Sequence, residues 1–570
     1  MSVPMTIMVP IVANRLTAIL AEQQNALVNT AFSPVVRESL DLACAAFDST
    51  GQMMAQSVGG TPGHINAIAT GMAHIAAKFG PTELVPGDVL ITNDPWMTAG
   101  QINDITVATP VFRRGRLVAW FASCCHSPDI GGRILSASAT EIFEEGLRLP
   151  IMKLSRAGEL NDELIAIIRA NVRTPDETVG DLYAQMAGND VGAASLSRLM
   201  DELDLDSLDP VAAQIMDRSE RALAEALQAT ADGTYQSELQ TDGFDGHPLR
   251  LAVTVTIDGR RILLDFAGSS PQSRHGVNVV LNYTRAYASF AIKAAIAPDV
   301  PHNAGSFRPV EVTAPPGSVL NCLPPAPVAS RHLVGHFLPS LIFAALTQAL
   351  PGRLLAHGAD ALWMCVWRGD PFTLTTFHAG GSGARAMKDG LSATGFPTGV
   401  RAAPTEVIEA LTPVRQHRRE LRTDSGGAGA FRGGLGQTLQ VSCGTSTLWS
   451  VNANVDRLRF PAAGAAGGQP GATGALTTGA GEALPAKQLV PLEPSDDVLL
   501  EMPGGGGFGD PYTRDPRAVL MDVVNGYVSL EAARSAYGVA VSYVGTAGAL
   551  VRPPSSYLLD LVETARLRAE

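Results

Sequence analysis

Asn93-Asp94-Pro95-Trp96-Met97-Thr98-Ala99-Gly100-Gln101-Ile102-Asn103-Asp104 leads into two strand-like runs, Thr106–Phe112 and Leu117–Ser123. The second continues straight into Cys124-Cys125-His126-Ser127-Pro128-Asp129-Ile130-Gly131-Gly132. Both runs are rich in Val, Ile, Thr and aromatic residues, and Arg113-Arg114-Gly115-Arg116 joins them as a hairpin turn. A hairpin brings its two open ends together, so Gln101, Asp104, His126 and Asp129 are expected to converge although 25 residues separate Gln101 from His126. Loops at sheet ends are where sites are usually built.

Working outward, Pro10 to Thr30 carries Ile11, Val12, Leu16, Ile19, Leu20 and Leu27 at near-helical spacing, and Ser33-Pro34 stops it. Leu42–Phe47 and Gln52–Gln56 flank a turn and form a second hairpin, which a helix from about His64 to Phe79 covers. Residues 155 to 230 have helical periodicity, and Leu251–Ile257 with Arg261–Phe266 is a third hairpin around Asp258-Gly259. Helices follow at about 283–297 and 338–350, and then strands and Gly-rich turns up to Asp515-Pro516, an N-cap and first-turn pair opening a helix that stops at Gly526. The fold class is α+β, a multi-layer mixed α/β chain with antiparallel β-rich central and C-terminal parts. Three units are expected: 1–235 with the site loops, 236–410 with hairpin and helices, and 411–570 as a Gly-rich β section with C-terminal helices.

Composition narrows the function classes. At 570 residues, with 46% hydrophobic and 17% charged residues, the chain has the apolar surface to build several cores and is no disordered scaffold. Its net charge is −13, Lys occurs only at positions 78, 153, 293, 388 and 487, and no basic block exists to hold a phosphate backbone, so nucleic acid is excluded as a partner. Met1 to Ala13 is apolar but lacks the charge and cleavage pattern of a leader, and no 18-residue apolar run occurs, so the expectation is a cytoplasmic protein without membrane association. Six cysteines (44, 124, 125, 322, 365, 443) show no paired spacing and are expected as reduced, buried thiols.

Several motifs fail on their chemistry. Thr423-Asp424-Ser425-Gly426-Gly427 resembles a serine-protease nucleophile segment, but nothing matches that family's His segment. Gly504, Gly506 and Gly509 satisfy GxGxxG, yet Asp510-Pro511 follows where a dinucleotide-binding helix would have to begin. His332 and His336 are four apart, but no Glu follows His332 and Pro339 delays the helix, so they read as core or cap residues. No Lys follows a Gly, so there is no P-loop, and any ATP chemistry must come from another chain. The donors around the first hairpin suit a metal site with an open position for water. The same residue types at loop ends also serve as caps and turn formers.

The resemblance that decides between these readings is carried by ordered motifs. The chain is similar to the hydantoinase B/oxoprolinase family, whose pattern N-D-P-Y-x-G-G-T-H-x-x-D aligns with Asn93 to Asp104 and whose H-x-x-D-I-G-G aligns with His126 to Gly132. Further matches run in order: R-E-S-L-D at 37–41, A-T-E-I-F-E-E-G-L-R-L-P at 139–150, N-A-G-S-F-R-P-V at 303–310, L-R-T-D-S-G-G-A-G-A-F-R-G-G-L-G at 421–436, P-G-G-G-G-F-G-D-P at 503–511 and R-D-P at 514–516.

The resemblance implies the B-type catalytic subunit of an ATP-dependent amidohydrolase, opening a hydantoin, an oxoproline-like lactam or a related cyclic amide. A separate hydantoinase A-type subunit would supply the ATP chemistry in a hetero-oligomer. It implies a divalent metal (Zn, Mn or Fe) at Asp104, His126, Gln101 and Asp41, with Asp129 and His64 orienting ligands or relaying protons beside His126. Gln101 departs from the family His and is a neutral, weaker donor, and Ser127 replaces a second His, so metal affinity is expected to fall. Cys125, beside His126, is a compensating thiolate candidate, with a buried structural thiol as the plainer role. Two alternatives accompany this reading: a carboxylase subunit of the acetone or acetophenone carboxylase type, acting on a ketone, and a non-catalytic partner subunit with a degenerate site.

Overall fold

A computed structural model describes residues 4–80 and 83–569; Met1 to Val3 of the apolar N-terminal stretch lie outside the described residues. The hairpin read first is its centre. β1 (Leu42–Asp48), β2 (Met53–Gln56), β3 (Val89–Thr92), β4 (Asp104–Arg113), β5 (Arg116–His126), β6 (Met152–Arg156) and β7 (Glu159–Leu160) form an antiparallel sheet in the order β2-β1-β5-β4-β3-β6-β7. β1 and most of β4 and β5 are buried on both faces, which is why they read as continuous apolar runs with little alternation.

Helices cover each face. Ala43, Ala45, Phe47, Ala108, Trp120, Ala122 and Cys124 meet Ile65, Ile68, Met72 and Ile75 of the helix Pro62–Lys78. Ala46, Val111, Ala119 and Phe121 meet helices Met5–Thr30, Pro175–Glu202 and Asp209–Gln228 on the other face. Met5–Thr30 is long and apolar enough to cross a bilayer by length and composition. It packs here against the helix Pro175–Glu202, where a Cβ at Gly188 would lie 3.0 Å from Leu27 Cβ. Buried amides stitch this layer to the sheet: Gln23 Nε2 donates to Asn189 Oδ1 at 2.7 Å, and Asn189 Nδ2 donates to Val107 O at 3.1 Å.

β8 (Gly233–Phe244), β9 (His247–Asp258), β10 (Arg261–Asp265) and β11 (Val310–Thr313) make a second sheet, antiparallel except for the parallel β10–β11 pair. β8 starts where the sequence reading places a junction, and its alternating burial over Gly233–Gln240 marks one solvated face. The largest apolar core runs from Val89 to Ala361, so residues on both sides of position 235 share it.

β12 (Trp363–Arg368), β13 (Thr373–His378), β14 (Val414–Leu421), β15 (Gln437–Cys443), β16 (Trp449–Asn454), β17 (Ala475–Thr478), β18 (Leu489–Leu492) and β19 (Asp497–Glu501) form two four-stranded sheets, β13-β12-β16-β18 and β14-β15-β19-β17. They share a core of Trp363, Trp367, Trp449, Leu439, Val441 and Leu500.

The Gly-rich segments differ from expectation. Residues 380–384, 425–436, 462–472 and 503–509 are extended segments lying side by side with almost no turns. Gly381 N donates to Pro503 O at 3.0 Å, Gly434 N to Ser382 O at 2.9 Å and Gly505 N to Gly434 O at 2.9 Å. A Cβ at Gly381 would stand 1.8 Å from Gly434 O. These glycines permit backbone-to-backbone approach, which a local reading does not separate from turning.

Candidate active site

Strand parity builds the site. On β5, Trp120, Ala122 and Cys124 face the helix Pro62–Lys78, so His126 at the strand end faces it too. Ala108 on β4 gives Asp104 the same side, and Ala43 and Ala45 on β1 give it to Asp41. Register completes the alignment, since Asp104 pairs with His126 and His126 N donates to Asp41 O at 3.0 Å. The helix adds His64 in its first turn.

His126 Nδ1 lies 2.9 Å from Asp104 Oδ1, and His64 lies 3.2 Å from Asp104 Oδ2 through Nε2 and 3.5 Å from Asp41 Oδ1 through Nδ1. A carboxylate only accepts, so Nδ1 of His126 carries the proton. In the neutral ring Nε2 then keeps its lone pair, and this atom is buried without a hydrogen-bond partner. Burial alone would lower the His64 pKa, but the Asp104 and Asp41 charges outweigh it and raise it. For Asp104, burial is overcome by Arg331, then by His64 and the histidine hydrogen bonds, which hold the carboxyl far below the usual carboxylate range.

Arg331 is the residue the sequence reading missed. It is 3% exposed and donates to Asp104 Oδ2, to Gln101 Oε1 at 2.7 Å and to Ala99 O at 2.9 Å. Its guanidinium lies 4.0 Å over the Tyr283 ring. Tyr283 is sandwiched between two glycines: a Cβ at Gly63 or Gly335 would come within 2.5 Å of its ring carbons. The available signal was Arg331 as the one full charge in the apolar run Ala326–Leu346, because an arginine in such a run is buried only when paired. His332 and His336, read as core residues, do line the pocket with Arg331. Burial pulls His332 down to about 3, so it is neutral, and neither ring nitrogen has a partner.

The turn carrying Arg331 hangs on Glu145. This buried carboxylate accepts from Val328 N and, at 2.8 Å, from Ala329 N. Burial lifts its pKa from 4.5 to about 8 against those two hydrogen bonds. A raised carboxyl pKa means that the folded state holds a proton the unfolded chain has released. The contribution is therefore full below about pH 4.5 and is lost as pH rises to about 8. Glu145→Gln keeps an acceptor oxygen and cannot ionise, so the Tm of wild type minus that of the variant is expected to fall steadily from pH 5 to about pH 8. A difference that stays flat across that window in thermal melts would count against a proton on Glu145.

Asp129 is not brought to the site. Its carboxylate accepts from Gly131 N at 2.9 Å, from Arg173 N, and from Arg173 Nη1 at 3.0 Å, so it ties its own turn to the helical layer. Cys125 points to the opposite face, among Leu27, Val36, Leu42 and Cys44, and burial raises its pKa well above the thiol value. Gln101 is at the site but turned to Arg331, with its amide donating to Ala329 O.

As arranged, the expected ligands do not form a shell for a divalent ion: of the four, only His126 Nε2 and Asp41 keep lone pairs free of a hydrogen bond. Both Asp104 oxygens are taken by donors, Gln101 offers its oxygen to a guanidinium, and His64 spends its Nε2 on Asp104. Among the described residues no group of three or more His, Cys, Asp or Glu is disposed to hold a metal. The cavity lined by Asp41, His64, Gln101, His126, Arg331 and His332 has a volume of ≈ 30 Å³. A water needs roughly 10–15 Å³ measured this way, so it holds one or two. Met364, Phe377 and Val400 supply apolar lining.

The family model described as hydantoinase B/oxoprolinase matches residues 5–511. The chain belongs to the hydantoinase B/oxoprolinase family. It is 31% identical to the beta chain of the caprolactamase of Pseudomonas jessenii over 547 residues, 90% of this chain and 92% of that one. It is 30% identical to the B-type subunit of a candidate D-/L-hydantoinase of Pseudomonas sp. strain NS671 over 567 residues, 94% of this chain and 95% of that one. The crystal structure of the ATP-dependent caprolactamase of Pseudomonas jessenii superimposes with a TM-score of 0.89 at 28% identity, covering 99% of each chain. Both relatives are named as one subunit of an enzyme acting on a cyclic amide.

Proposed function

We propose that this chain is the B-type catalytic subunit of an ATP-dependent cyclic-amide hydrolase, working in the cytoplasm with an A-type subunit that uses ATP to activate the ring amide. The observation that carries this reading is the buried His126–Asp104 pair with an unpartnered Nε2 facing a cavity of water size. Asp104 fixes the imidazole, and Nε2 takes a proton from water as its oxygen bonds to the activated carbonyl carbon. Arg331 supplies positive charge for the developing oxyanion. With the ring oxygen phosphorylated by the A-type subunit, the carbon–nitrogen bond breaks as the nitrogen takes the proton from His126 Nε2, leaving an acyl phosphate of the opened chain, and a second water releases inorganic phosphate and the free acid.

The test is co-expression with an A-type subunit and assay of 5-oxoproline, hydantoin and caprolactam with ATP. Ring-opened product and ATP consumption that both require the two chains are expected. Incorporation of labelled bicarbonate would identify a carboxylase, and turnover by the A-type subunit alone would make this chain a non-catalytic partner.

A further inference from the structure

Two departures from the family pattern lie side by side where the guanidinium enters. The pattern has Thr-His where this chain has Gly100-Gln101. Gly100 has φ +84°, and a Cβ there would stand 3.1 Å from Arg331 Cδ and 3.2 Å from Arg331 Nε. A threonine at 100 would therefore be strained and would press on the arginine stem. Gln101 accepts from Arg331 Nη1 and donates to Ala329 O, so it bridges the guanidinium and the turn that carries it. A histidine there would place a shorter, rigid ring beside the cation.

We propose that Arg331 is the resident cation of this site, a guanidinium in the electrostatic place of a divalent ion, admitted by Gly100 and Gln101. Every contact around it agrees. Asp104 pairs with it, the Tyr283 face stacks under it, and Ala99 O receives its Nε proton. Three of the five guanidinium donors are used in its bonds to Asp104, Gln101 and Ala99, leaving two N–H groups for substrate oxygen. A divalent ion bound to Asp104 would share that carboxylate with a buried positive charge, so metal binding and Arg331 are mutually exclusive. The site thus exchanges a dissociable Lewis acid for a covalently tethered one-charge donor. This deepens the proposed hydrolase reading and rests on it for the chemistry; the metal measurements stand without it.

The full-length protein, alone and with its A-type subunit, is analysed for bound metal and melted with added Zn²⁺, Mn²⁺ or EDTA. Wild type is expected to hold far less than one ion per chain, with a Tm that neither metal nor EDTA moves. The double variant Gln101→His with Arg331→Met is expected to bind one Zn²⁺ or Mn²⁺ and to gain Tm with metal by mass action. Arg331→Lys keeps a cation and is expected to stay metal-free, which guards against a double variant that does not fold. A stoichiometric ion in wild type that is lost in Asp104→Asn overturns the proposal. If wild type is metal-free and yet no cyclic amide is opened, the hydrolase reading fails while the assignment of Arg331 stands.

Discussion

Replacing His126 with alanine is expected to lower kcat of the two-subunit enzyme by about 10²–10⁴-fold, the span a positioned general base supplies. The ring is 1% exposed, its Nδ1 is held by Asp104, and Nε2 is the buried lone pair beside a cavity of one or two waters. Asp104 retains Arg331 and His64 as partners in the variant, so the buried carboxylate is not orphaned and the fold is expected to survive. Binding of the activated ring does not require the imidazole, so the loss should fall on kcat with KM little changed. Added imidazole, which fits the space the side chain leaves, is expected to restore part of the rate. Unchanged turnover in a variant of normal Tm would remove His126 from the chemistry.

The largest expected effect on stability lies away from the site, where β8 meets the later β-sandwich. Asp456 Oδ2 lies 2.7 Å from Lys487 Nζ, with the side chains 1% and 4% exposed. Asp456 Oδ1 also accepts from Asp242 N at 3.1 Å and Arg457 N at 2.8 Å, and Asp242 in turn accepts from Leu458 N at 2.7 Å and Arg459 N at 3.0 Å. Lys487 further donates to Gly243 O, so the cluster clamps the end of β8 to the sandwich. Asp456→Ala leaves an ammonium buried without its counter-charge, which costs about 3–5 kcal/mol. Spread over the unfolding entropy of a 570-residue chain, that is a fall in Tm of roughly 3–4 °C. Asp456→Asn combined with Lys487→Met removes both charges and keeps an acceptor for the Asp242 and Arg457 N–H groups, and most of the stability should return. A single variant that melts with wild type would show that the pair contributes little to holding the two parts together.

How much was legible depended on range. The hairpins at 42–56 and 104–126 are readable because β-rich apolar runs and turn residues act over a few positions, and strand parity, applied strictly, turns Cys125 away from His126. The open ends of one hairpin correctly grouped Gln101, Asp104 and His126. The same reading places Asp129 with them, whereas a loop residue three positions past a strand has no parity to obey and Asp129 pairs with Arg173. The Gly-rich stretches read as turns in sequence, since a glycine that frees the backbone to turn and one that lets another backbone approach look alike until the second chain segment is in place.

The amino-acid sequence alone determined the fold class and the family, and it singled out Asp41, His64, Asp104 and His126, because periodicity and ordered motifs are local in the chain. Tertiary structure alone decided what cation those residues meet. Arg331 reaches Asp104 across 227 residues of sequence, and nothing local to either announces the other. Their meeting follows from burial: a guanidinium in an apolar run must find a carboxylate, and the packing of the helix Pro62–Lys78, Tyr283 and the turn held by Glu145 leaves Asp104 as the one it finds.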